Sequence, residues 1–191
     1  MGSAVFTEQA WLASTPAARW GALITATATA LAVAALGVPV ASGVAVLAMI
    51  PAMLIDLQVH RIPDPWVVVA GVSFGSALAL SIALGQSVSA PNIIAGAAAM
   101  ALPILCLHLI SPTAMGFGDV KAAIVLGAAL GVVNWQLALV GLTLAAGIGA
   151  SIGTMRRSRT IAFGPYLLIG TLIALTADSV FLDAALKGGG R

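Results

Sequence analysis

An all-α fold, a polytopic membrane bundle of about seven transmembrane helices, is what this 191-residue sequence predicts. Composition is the first reason. The chain is 61% hydrophobic and only 7% charged, where a soluble domain carries roughly a quarter charged residues. Its mean hydropathy is +1.12. Charge spacing is the second reason. With His counted as chargeable, residues 20–55, 65–107, 122–155 and 160–177 contain no Asp, Glu, Lys, Arg or His. One bilayer crossing takes about 20 apolar residues, so the first three gaps each hold about two helices and the last about one. The third reason is Trp20, Trp66 and Trp135, which fall at proposed span ends, where an indole prefers the headgroup layer.

Gly, Pro and charge place the spans in order near 20–37, 42–59, 66–84, 92–110, 119–134, 136–154 and 160–178. The spans are expected as tight hairpins, turned at Gly37-Val38-Pro39, from Gly85 to Pro91, and at Asn134-Trp135. The stretch after Arg19 runs too far to be a signal peptide and reads as a retained helix. The organisation is then a cytosolic segment 1–19, one transmembrane domain 20–178 and an extracytosolic tail 179–191. Within the tail, Lys187 to Arg191 reads as disordered. A cytosolic N-terminus puts Arg19, Arg61, Lys121, Arg156, Arg157 and Arg159 inside and leaves only Lys187 and Arg191 outside. The predicted location is therefore the plasma (inner) membrane, multi-pass, in contact with the lipid bilayer.

Several function classes are excluded at this level. A net charge of +2 with no basic stripe argues against nucleic acid. Cys106 is the single cysteine, so the chain has no internal disulfide and no cysteine-based zinc site. Twenty-one glycines suit close helix packing, yet the three Gly-xxx-Gly matches, 71/75, 127/131 and 149/153, are about what chance gives and are no dimerisation signal.

Charge in or near a span is expensive, which singles out Asp56, His108, Asp119 and Lys121. Asp56 lies near the end of the second span, and Asp119 opens the fifth after Gly116-Phe117-Gly118. The predicted topology puts both at one membrane face. Two carboxylates at one depth in a partly dry site cannot both ionise cheaply, so one serves as general acid and the other as general base, as in aspartic proteases. The glycines let another chain come close, and a helix N-terminus favours a carboxylate. The plainer alternatives stay open: Asp119 fits a helix cap equally well, and Asp56 fits an interfacial partner for Arg61. His108 is more simply a packing residue, and Asp64 a solvated turn residue that could meet a positively charged peptide. Lys121 does not share a helix face with Asp119 two residues away.

Gly116-Phe117-Gly118-Asp119-Val120-Lys121 is similar to the Gly-x-Gly-Asp signature of type IV prepilin peptidases, membrane aspartic proteases that remove leader peptides from prepilins. Asp56 to Asp64, ending Ile62-Pro63-Asp64, resembles the family's first-aspartate block. Ile161-Ala162-Phe163-Gly164-Pro165-Tyr166 resembles its late Pro-Phe-Gly-Pro block, with Ala162 in place of the first proline. The resemblance implies that Asp56 and Asp119 form a catalytic dyad that activates water against a scissile carbonyl. It places Gly116, Gly118, Lys121, Pro63, Asp64, Gly164 and Pro165 around them as substrate cleft or structural support. No metal or cofactor is implied; the partners are prepilin or pseudopilin precursors. Long members carry a cysteine-containing insertion associated with N-methylation, and a chain with one cysteine resembles a short, peptidase-only form.

Two competing functions are compatible with parts of the sequence. Gly71-Val72-Ser73-Phe74-Gly75 matches the Gly-x-Ser-x-Gly nucleophile pattern, with His108 as a candidate base, but inside an apolar helix where the pattern lacks its strand-turn-helix setting. A small transporter or non-catalytic assembly protein could use Asp56 and Asp119 to bind a proton or cation, although such sites belong near the midplane and these aspartates lie at an edge.

Overall fold

The structure, a computed structural model, describes residues 38–59, 61–112, 115–156 and 162–188, with no side-chain detail at 59, 156 or 179–188. The predicted span 20–37, the segment 1–19, and Arg19, Arg157, Arg159 and Arg191 lie outside the described residues. The described chain is all-helical: α1 Val40–Val59, α2 Asp64–Ala83, α3 Ala90–Ile110, α4 Phe117–Gly131, α5 Gln136–Arg156 and α6 Gly164–Gly188. Stretches of α1, α2, α3 and α5 are long and apolar enough to cross a bilayer. That gives four such helices among the described residues, against the seven predicted.

Most ends fall within a few residues of expectation, and the exceptions have local causes. α4 stops at Gly131 and not at 134, because Asn134 Oδ1 accepts from the Gln136 amide at 3.1 Å and so opens α5. α6 runs past 178 to Gly188, since residues 179–187 contain no Pro or Gly and a charge ends an apolar span without ending a helix. Gly85, at φ 79°, makes the turn after α2 in a conformation that side-chain-bearing residues rarely adopt.

The buried centre of the bundle is α4, which packs on each of the other five described helices. Eleven of its fifteen residues are buried, Asp119 among them. Around it, α1 meets α2 and α6, α6 meets α5, and α5 meets α3. The hairpin expectation needs correcting here. The closely packed sequential pairs are α1 with α2, α3 with α4 and α5 with α6, whereas α2 and α3, joined at Gly85, do not pack along each other. A turn dictates that the chain reverses, not which helix face receives the next one. The face is chosen by small residues: a Cβ on Gly96 would come within 2.5 Å of Gly127 O, and one on Gly131 within 2.5 Å of Asn92 O. Gly127 and Gly131 thus serve contact within the chain, between α3 and α4. Ser42 Oγ adds a buried 2.7 Å hydrogen bond from α1 to Ala129 O of α4.

Large apolar side chains such as Val68, Val72, Ile94, Leu102 and Leu109 point outward. In water this surface would drive association; around a membrane bundle it is the lipid-facing belt.

Candidate active site

The alternating helix directions bring the end of α1, the start of α2, the end of α3 and the starts of α4 and α6 to one end of the bundle. Asp56 reaches this end three residues before α1 finishes and is only 4% exposed. Asp119 is the third residue of α4 and 8% exposed. The two carboxylates are close enough to interact electrostatically.

Backbone groups define the surroundings of Asp119. Gly116 is the N-cap of α4, with Asp119 Oδ2 3.3 Å from the place its Cβ would take, and the backbone of Gly116 and Gly164 bears electrostatically on the Asp119 carboxylate. The plainer expectation, Asp119 as the cap of its helix, is corrected: Gly116 is the N-cap, α4 has no side-chain cap hydrogen bond, and Asp119 stands buried in the first turn. Asp119 Oδ1 is buried with no hydrogen-bond partner among the described residues.

Gly164 is where the two aspartates meet. A Cβ there would lie 2.7 Å from Met53 Sδ, 2.9 Å from Asp56 Oδ2 and 3.0 Å from Ile62 Cδ1. Its bare Cα thus admits Asp56, and its backbone bears electrostatically on Asp119. Gly118 plays a similar part towards the turn after α1, since a Cβ on it would meet Ile62 Cβ at 2.9 Å. Pro63 is the extended N-cap of α2 and Pro165 is buried in the first turn of α6, so the two prolines start the helices that carry the turn and Gly164.

The other predicted residues lie at the rim. Lys121 Nζ pairs with Asp64 Oδ1 at 2.7 Å and sits 5.1 Å from the centre of the Phe117 ring. Asp64 is exposed, as expected of a turn residue, but it is engaged by a lysine 57 positions away. His108 Nδ1 lies 2.7 Å from Met115 O, with its ring 5.5 Å from that of Phe117. Ser73 stands mid-way along α2, which does not pack on the helix carrying His108, so the serine reading lacks a base beside its nucleophile.

Sequence reasoning missed Ile62 and Met53. Ile62 is buried and touches the positions of both Gly118 and Gly164, tying the three sequence blocks together. Its only signal was a place inside the Ile-Pro-Asp turn; Met53, one helical turn before Asp56, gave none.

Two buried carboxylates, each on a different helix of the bundle, thus stand at one end of it with Gly116 beside Asp119 and Gly164 beside Asp56. The profile of the type IV leader peptidase family matches residues 43–154, well over half of the chain. The chain belongs to the type IV leader peptidase family. The matched region includes Asp56 and Asp119 and ends before Gly164. Comparison with curated proteins and with solved structures gives no match.

Proposed function

We propose that this membrane peptidase is an aspartic endopeptidase, cutting the junction between a charged leader and a hydrophobic helix in type IV prepilin-like precursors at the cytosolic membrane face. Asp56 and Asp119 form the dyad. The ionised carboxyl takes a proton from water as the water attacks the scissile carbonyl, and the protonated carboxyl gives its proton to the leaving amine. Gly116, Gly118 and Gly164 keep side chains out of the cleft, Pro63 and Pro165 set the helices that border it, and the Asp64–Lys121 pair holds its rim. The observation that carries this reading is the convergence of two buried carboxylates on Gly164. Their place at the bundle's end favours it over proton or cation transport at a midplane site.

The test is co-expression with a prepilin, following leader loss for the wild type, Asp56→Asn and Asp119→Asn. Normal processing by either variant would remove the dyad. Orientation is tested separately with a cysteine at position 60 in a Cys106→Ser background, which should resist an external, membrane-impermeant reagent.

A further inference from the structure

A single peptide unit, the one joining Met115 to Gly116, lies between His108 and Asp119. Its carbonyl, Met115 O, lies 2.7 Å from His108 Nδ1. Its amide belongs to Gly116, the N-cap of α4, and a Cβ on Gly116 would lie 3.3 Å from Asp119 Oδ2, so the carboxylate stands directly beside this peptide. A carbonyl oxygen only accepts, so His108 Nδ1 carries a proton and donates it. The peptide unit is planar, with C=O and N–H pointing in opposite directions. A donor that fixes the oxygen therefore fixes the direction of the hydrogen. Drawing electron density toward the oxygen also strengthens the N–H as a donor, an effect of about 10–30% per bond in such chains.

The anchor of this relay is firm where its target is bare. His108 sits in the last turn of α3, the helix locked to α4 through Gly96, Gly127 and Gly131, and its ring rests against Phe117. Gly116 has an extended backbone at φ −72°, ψ 143°, and its own lack of a side chain leaves it nothing with which to brace itself. We propose that His108 is a positioning residue that aims the Gly116 amide at Asp119 through the Met115–Gly116 peptide. The proposal rests on the reading of Asp119 as half of the dyad; the hydrogen-bond relay itself does not.

The experiment uses the purified full chain in lipid nanodiscs, with two readouts. One is kcat and KM for prepilin cleavage. The other is hydrogen exchange at the Gly116 amide, isolated by labelling with carbonyl-13C methionine and 15N glycine; the sequence contains only two Met-Gly pairs, Met1-Gly2 and Met115-Gly116. His108→Ala should speed Gly116 exchange about tenfold or more and lower kcat by a similar factor, with KM within about twofold of wild type. His108→Asn puts an amide nitrogen near the place of Nδ1 and should restore both within about threefold, whereas His108→Gln, whose nitrogen falls nearer Nε2, should not. Unchanged Gly116 exchange in His108→Ala, or His108→Asn as defective as His108→Ala, overturns the proposal. A wild-type chain that cleaves no prepilin refutes the peptidase reading, and the exchange data still decide the relay.

Discussion

Along the inner half of α4, Gly127 and Gly131 face the backbone of α3; at its outer end, Gly116 and Gly118 flank a buried carboxylate. In the first region the missing Cβ lets two backbones approach until main-chain oxygens face Cα atoms, a contact that rewards nearness and involves no side-chain polar group. In the second, the same absence makes room for polar groups: a turn residue at Gly118, an aspartate oxygen at Gly164, and another at Gly116. One residue type thus contributes cohesion at one end of a helix and room for polar groups at the other. The two uses should fail differently when a methyl group is added.

The dyad variants set the upper limit on the chemical side. Asp119→Asn and Asp56→Asn should each lower leader removal at least about a hundredfold while the protein still accumulates in the membrane, as quantified by immunoblot and cleavage rate. Next comes the packing side: Gly127→Ala or Gly131→Ala forces a Cβ to within 2.5 Å of a backbone oxygen, which cannot retreat as a side chain would. Both should lower unfolding stability in mild detergent by about 3 kcal/mol, with activity falling in proportion. Gly164→Ala should separate the two properties, because Met53 Sδ is the end of a flexible side chain and can shift, while Asp56 Oδ2 at 2.9 Å cannot shift without leaving its place. Cleavage should drop about tenfold with stability changed by only about 1 kcal/mol. A Gly164→Ala protein that is unstable yet fully active per folded molecule would collapse the distinction between the two regions. The rim pair should matter least. Lys121→Met or Asp64→Asn should cost no more than about 1 kcal/mol, given side-chain exposures of 34% and 67%, with cleavage within about threefold of wild type. Ser73→Ala should process prepilin normally in the same assay.

The carboxylates were legible in the sequence because charge is so scarce there that Asp56 and Asp119 stand alone in apolar surroundings. The helical class and most span ends were legible for the same reason. What local pattern could not supply was pairing. Nothing near Gly96 or Gly131 says that they belong together, and chance frequency rightly gave the Gly127/Gly131 match little weight before its partner on α3 was known. The Asp64–Lys121 pair and the approach of Gly164 to Asp56 join residues tens of positions apart, and composition carries no trace of such closures. His108 was weighed as a packing residue, and its ring does pack against Phe117. Its bond to Met115 depends on how the chain turns into α4, a backbone detail with no signature in residue type.

The brevity of α4 bears on the setting of Asp119. Its 15 residues reach about 22 Å, while a hydrocarbon core is roughly 30 Å thick and α3 and α5 have 21 residues each. A central rod shorter than its neighbours leaves a difference that lipid cannot fill, since the surrounding helices hold it away. Asp119 stands at one end of that rod, so the carboxylate on which the proposed hydrolysis depends lies where a helix one and a half turns short of the hydrocarbon thickness begins.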